Sequence, residues 1–434
     1  MKYNIPKGVF DILPKQKNPE NKWKESSYWQ YVEEIMRKIS KNYGFSEIRT
    51  PIFEKTELFT RGIGETSDII SKEMYTFDDK AGRSMSLRPE GTAPVIRAFI
   101  ENNLQQIGTL QKFFYIGPFF RYDRPQAGRY RQLHQFGIEA IGNPDPEQDL
   151  EIIDFQMELY QRLGLQNLNL MINSLGNIES RNIYKEKLLD YLKPFFNQLT
   201  PESQTRFRLN PLRILDSKDP SEQSLLKEAP TILDCLDKES ESHFNELCLL
   251  LKKQKISFVI NPLLVRGLDY YNRTVFEVTS NVLGAQNTIG GGGRYDGLTS
   301  ILGGPELPAI GFSTGIERII HTMIGQNCPF PPPSHPFVVF IPLGMAAKDR
   351  SIPLIFSLRH KEISTEMLLS KKIQKALQTA SDIRATYAVI IGDEELNKGM
   401  AQLKELETRT TKEIPINSLE EYLINLFKQL DGHV

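Results

Sequence analysis

The stretch from residue 119 to 139, FFRYDRPQAGRYRQLHQFGIE, restricts the possible folds of this chain more than any other. Arg121, Arg124, Arg129 and Arg131 fall within eleven residues, directly after KFFYIGPFF, an apolar run of buried-strand character. Pro125 and Gly128 punctuate a turn over residues 122–128, so residues 115–121 and 129–141 read as the two strands of a hairpin. Strand side chains alternate, which puts Arg129, Arg131, Gln135 and Glu139 on one face and Phe136, Ile138 and Ala140 on the other. Guanidiniums gathered over a strand pair are costly unless something anionic lies between them. Charge alone leaves two readings open, an anion site and a solvated, salt-bridged hairpin.

The remaining blocks bear on that choice. In SMSLRPEGTAPVIRAFI (84–100), Thr92 is a plausible N-cap, Pro94 suits the first helical turn, and Val95, Ile96, Phe99 and Ile100 form an apolar stripe. Glu90 stands where strand gives way to helix. Its carboxylate could hold a ligand ammonium or, more simply, stabilise the helix dipole. Residues 18–40 read as a helix and 45–51 as a short strand closing at Pro51; residues 149–163 read as helix and 168–172 as strand. Residues 181 to about 255 are charged, helix-rich and broken by prolines, a helical insertion within a larger sheet, with no motif that carries chemistry. VINPLLVRGLDYYNRTVFE (259–277) returns to strand pattern, bringing Arg266, Tyr270 and Tyr271. GGGGRYDGL (290–298) is a Gly-rich run of the sort that receives phosphate before a helix, although it matches neither a P-loop nor a dinucleotide fingerprint. PAIGFSTGIERII (308–320) sets Arg318 in the first turns of a helix.

NCPFPPPSHP (327–336) is a stiff linker. Beyond it the pattern is α/β: strands at 337–341 and 387–391, a helix at 419–427, and between them a helix with an Ile373, Ala376, Leu377, Ala380 face opposite Lys371, Lys372 and Lys375. A lysine face is ordinarily solvated, with RNA contact the sharper alternative. A formal net charge of −1 means that any nucleic acid must be met by local patches. Cys235, Cys248 and Cys328 are isolated, which argues against a disulfide framework and structural zinc and suits a reducing cytosol. The N-terminus lacks a signal-type apolar core, and no run of about 18 apolar residues occurs, so a cytoplasmic protein with no membrane partner is expected.

Together LRPEGT (87–92), FRYDRPQAGRYRQLHQFGIE (120–139), RGLDYYNRTVFE (266–277), GGRYDGL (292–298) and GFSTGIER (311–318) resemble the histidyl-tRNA synthetase family in order and spacing, and the similarity covers almost the whole chain. The resemblance implies an α+β fold: a class II synthetase antiparallel sheet flanked by helices, with a helical insertion and a C-terminal α/β anticodon-binding domain. Its domains would be a catalytic domain over 1–326 with the insertion at about 181–255, a Pro-rich linker over 327–335, and an anticodon-binding domain over 336–434. It implies ATP-dependent ligation of L-histidine to tRNA(His) through a histidyl-adenylate, by a cytoplasmic homodimer that uses ATP and Mg²⁺. Carried over by residue, Arg121, Arg266 and Arg318 would be catalytic, with Arg121, Asp123, Arg129 and Arg318 on ATP. Glu90, Thr92, Gln135, Glu139, Arg266, Tyr270 and Tyr271 would bind histidine, and Arg124 and Gln126 would meet the tRNA acceptor end; no metal ligand is assigned. Three positions depart from the family pattern: Asp123 where Glu is usual, the GVFDILP segment (8–14), and Arg384 where Gly commonly precedes Ala. The rivals are the synthetase-like regulatory subunit of ATP phosphoribosyltransferase, which lacks the anticodon domain, and a synthetase-like module that senses uncharged tRNA.

Overall fold

The alternation of side chains between the two faces of the hairpin strands sets the layout of the larger part of the chain. The computed structural model describes residues 3–64, 67, 69–123, 129–370 and 372–431. Among them, eight strands form the main sheet: β1 (Ser46–Glu47), β2 (Gln111–Phe120), β3 (Gln132–Ile141), β4 (Leu168–Ser174), β5 (Val259–Ile260), β6 (Asn272–Ser280), β7 (Thr288–Arg294) and β8 (Ala309–Gly315). Their order is β1-β2-β3-β8-β7-β6-β4-β5, antiparallel except for the pairings at its two edges. Phe136, Ile138 and Ala140 of β3 are buried with apolar side chains of α1 (Ser26–Asn42), α3 (Pro146–Arg162) and α6 (Ile316–Gly325). The opposite face of β3 carries Gln135, Gly137 and Glu139 towards α2 (Thr92–Glu101).

The hairpin departs from its expected boundaries. Regular pairing begins at Gln132, so Arg129 and Arg131 are not on the returning strand with Gln135 and Glu139. The Arg131 backbone N–H donates to Gly8 O at 2.7 Å and its guanidinium stacks 4.0 Å from the Tyr122 ring centre, which draws it away to the N-terminal segment. The Gly-rich run is also different: residues 288–294 are strand β7, flanked by β6 and β8, not a loop before a helix. The expected helix over 18–40 is a 3₁₀ turn (Pro19–Lys24) followed by α1, and the strand expected over 45–51 is only β1. After Pro51 the chain enters a separate three-stranded sheet of Phe53–Lys55, Ser84–Leu87 and Thr76–Asp78, with Ser84–Leu87 central.

The insertion runs from α4 (Ile178–Leu192) through short helical pieces to α5 (Lys238–Lys253). A buried ionic cluster ties α5 to the sheet. Asp149 Oδ2 on α3 lies 2.8 Å from His243 Nε2 on α5, and Asp149 Oδ1 lies 2.6 Å from Arg294 Nε at the end of β7. Burial works against the Asp149 charge, but Arg294 and His243 outweigh it and hold that carboxyl below its usual range.

Intrachain contacts divide between Pro331 and Pro332. The second unit has a five-stranded sheet in the order Thr365–Met367, Val338–Pro342, Tyr387–Ile391, Met400–Glu405, Thr411–Pro415. Its first two pairings are parallel and the other two antiparallel. Helix Ile373–Asp382 packs Ala376 and Ala380 inward, as its pattern predicts, but Lys372 is its N-cap and Lys371 lies outside the described residues. No described helix is long and apolar enough to cross a membrane.

Candidate active site

Over β3, β8 and β7 lies a cavity of about 280 Å³, walled by the start of α2, the segment at 266–271 and the start of α6. Every expected site residue that the structure describes lines it: Glu90, Thr92, Arg121, Asp123, Arg129, Gln135, Glu139, Arg266, Tyr270, Tyr271 and Arg318. Arg124 and Gln126 lie outside the described residues.

One end of the cavity is a buried carboxylate ringed by hydroxyls. Glu139, 1% exposed, accepts from Thr92 Oγ1 at 2.7 Å, from Tyr115 OH at 3.3 Å, and from Tyr295 OH. Burial pushes its pKa up to about 8; the hydroxyls pull the other way, and the neighbouring Glu90 adds to the rise. Tyr115 finds room because it faces Gly137 across the hairpin, where a Cβ would come within 2.3 Å of its hydroxyl. Tyr270 and Tyr271, both buried, complete this end, with phenols raised chiefly by burial.

Thr92 is not the N-cap that its type and position predict. It is the first residue of α2, and Glu90 does the capping, accepting from Thr92 N at 2.6 Å and Ala93 N at 2.9 Å. That frees the Thr92 hydroxyl for Glu139. Burial raises the Glu90 carboxyl, against the pull of those two N–H groups and of Arg121.

The other end is cationic. Arg121 Nε donates to Pro89 O at 2.8 Å, and Arg318 Nη1 to Thr288 O at 2.5 Å, so backbone carbonyls fix both guanidiniums. Burial and then the nearby charges of Arg129 and Arg121 lower the pKa of Arg318, the mark of cations held together around a space. An anion there would relieve them. Asp123 pairs with Arg129 at 3.2 Å, and Arg266 with Glu277 at 2.5 Å. Glu317, beside Arg318, accepts from His134 N at 2.8 Å and ties α6 to β3.

Tyr115, Tyr295, Thr288 and Glu317 line the cavity without having been singled out from sequence. Tyr295 sits inside the GGRYDGL block, and strand alternation puts Tyr115 on the cavity face. Those signals were present, but nothing local marks either hydroxyl as a partner of Glu139.

Two family models match the chain: "Histidyl-tRNA synthetase" over residues 20–319 and "Anticodon binding domain" over residues 338–426. The chain belongs to the histidyl-tRNA synthetase family. It is 58% identical over 426 residues to a histidine–tRNA ligase of Protochlamydia amoebophila, covering 98% of this chain and 100% of the relative. Against a histidine–tRNA ligase of a Geobacillus species the identity is 46%, covering 98% and 99%. The apo histidyl-tRNA synthetase of S. aureus superposes with a TM-score of 0.81 at 35% identity, covering 97% of this chain and all of that one. The antiparallel sheet with flanking helices and the C-terminal α/β unit are those of this synthetase family.

Proposed function

We infer that this protein is a class II aminoacyl-tRNA synthetase that joins L-histidine to tRNA(His) at the expense of ATP. The observation that carries the reading is the polarity of this cavity, with a hydroxyl-ringed carboxylate at one end and Arg121, Arg129 and Arg318 at the other. Neutral imidazole has one donor and one acceptor nitrogen, so a pocket that reads it needs an acceptor and a donor on opposite sides. Glu139 and Tyr271 take those parts. Leaving either unpaired penalises any apolar side chain that enters. Glu90, Thr92 and Gln135 receive the substrate ammonium, and Tyr270 closes the same end.

In the first step a histidine carboxylate oxygen attacks the α-phosphorus of ATP, and the bond to pyrophosphate breaks, giving histidyl-adenylate. Arg121 and Arg318 hold the nucleotide from two sides, and Asp123 with Arg129 meets it along the hairpin. Arg266 stands by the attacking carboxylate, where it stabilises charge that builds on the α-phosphoryl oxygens. Removing one such donor costs on the order of 3–4 kcal/mol in the transition state. In the second step the 3′-terminal ribose hydroxyl of tRNA attacks the acyl carbon and AMP leaves. Arg124 and Gln126 meet the acceptor end.

Mg²⁺ fits as a companion of the ATP phosphates, since it is commonly held by one or two carboxylates plus phosphate oxygens. The ion would neutralise phosphate charge. The apolar pair Phe53 and Phe77, 53% and 45% exposed and 6.3 Å apart on the three-stranded sheet, supports a homodimer; a monomeric mass in solution would count against it. We place the enzyme in the cytoplasm, in keeping with its three free thiols. The anticodon-binding match weighs against the regulatory-subunit reading, and Arg121, Arg266 and Arg318 together weigh against a chemistry-free sensor. The test is charging of tRNA(His) with labelled histidine by the purified protein. A product that forms only with ATP, Mg²⁺ and this tRNA supports the reading, and none under any condition refutes it.

A further inference from the structure

The segment between β5 and β6, residues 261–271, carries Arg266, Tyr270 and Tyr271 into the cavity, yet it has no helix or strand of its own. Its backbone carbonyls therefore need partners from elsewhere. The first half finds one in the sheet: Asn173 Nδ2 of β4 donates to Pro262 O at 3.2 Å and Leu264 O at 3.0 Å.

The second half is held largely by the insertion. Arg181 on α4 donates from Nη1 to Tyr271 O at 2.9 Å and Asp269 O at 3.4 Å. Arg213 Nη2 donates to Gly267 O at 3.0 Å, and Asn210 Nδ2 to Asp269 Oδ1 at 3.1 Å. These are three side chains from two pieces of the insertion, meeting three of the residues between Gly267 and Tyr271. None of the three lines the cavity; they meet the segment outside it.

We propose that the insertion is a positioning device for the amino-acid site: Arg181, with Asn210 and Arg213, fixes the 267–271 backbone and so sets where Arg266, Tyr270 and Tyr271 stand against the substrate. Arg181 is the principal member because one guanidinium bridges two carbonyls two residues apart. Both bonds come from one nitrogen, Nη1, so the ammonium of a lysine placed there would keep part of this hold. Small displacements of groups that orient a substrate cost rate and affinity at the reacting centre, so the effect belongs to histidine and not to ATP, whose phosphates meet Arg121 and Arg318 on other elements.

The inference rests on the histidine-activating function, and the experiment separates the two. Histidine-dependent ATP–pyrophosphate exchange is measured with full-length protein for the parent, R181A, R181K and N210A, alongside thermal midpoints. The parent must show exchange; its absence is a failure of the functional reading itself. Given exchange, R181A is expected to raise the KM for histidine about tenfold, the scale of a lost hydrogen bond from a charged donor, with the KM for ATP nearly unchanged. R181K should recover part of this and N210A should move the same way by less. A purely structural role would lower the midpoint and leave the histidine KM alone. Parent-like histidine kinetics in folded R181A, or equal losses for histidine and ATP, overturn the proposal. Should R181A not fold, R181K and N210A decide by the same criterion.

Discussion

Replacing Glu139 with Gln separates the cost of its charge from its use. The folded protein holds this carboxyl at about 8 instead of its usual 4.5, mainly through burial. Each pH unit of that interval is worth about 1.4 kcal/mol, so ionising the buried group costs the fold roughly 5 kcal/mol at most. The sign follows from proton binding. The native state holds the proton more tightly than the unfolded chain, so the contribution is fully present below pH 4.5 and is lost as pH rises through about 8. Gln resembles the protonated form and does not titrate. The thermal midpoint of E139Q should therefore rise relative to the parent between pH 5 and pH 8.5, by an amount equivalent to several kcal/mol. Comparing the two proteins across pH removes whatever the amide costs independently of pH. In the same variant, kcat/KM for histidine in ATP–pyrophosphate exchange, measured above pH 8 where the parent's Glu139 is ionised, should fall about ten- to a hundredfold, the range for losing a charged acceptor. A midpoint difference that is flat or falling with pH would refute the assignment of a charge-hostile pocket. Near-normal histidine kinetics would show that imidazole is read elsewhere.

Two further substitutions probe the architecture. Gly311 pairs with Glu139 across β8 and β3, and a Cβ there would lie 1.9 Å from Glu139 Oε2. G311A should destabilise by about 1–3 kcal/mol and raise the KM for histidine, because the carboxylate must move; an unchanged KM would show that its position is not critical. The unit from Pro332 onward has its own apolar cores. Deleting 332–434 should leave histidine-dependent exchange largely intact and impair tRNA charging, whereas equal loss of both would give the tail a structural role.

The strand period was legible in the hairpin because β3 has one face in the core: Phe136, Ile138 and Ala140 against Gln135 and Glu139. The same period failed at Arg131, where a distant carbonyl, Gly8 O, takes over from the ladder. Capping chemistry pointed to the right helix start but the wrong residue, since Glu90 reaches over Gly91 to do what Thr92 does by type. The hydroxyl ring was not legible. Tyr115 and Tyr295 meet Glu139 across 24 and 156 residues, and hydroxyls carry no pairing code. In the tail, MAQLKE (Met400–Glu405) and TKEIP (Thr411–Pro415) are short polar strands at one side of the sheet, too weakly patterned to stand out. The insertion shows no chemical motif in its sequence for a physical reason: Arg181 and Arg213 serve backbone carbonyls, which any donor at the right place can do.

The central claim is that one cavity brings histidine and ATP together for attack on the α-phosphate. Exchange of labelled pyrophosphate into ATP by the purified protein tests it most directly, with each standard amino acid added in turn. Exchange should appear with histidine and stay at background with the others. Exchange driven equally by another amino acid, or none with histidine, would contradict the account.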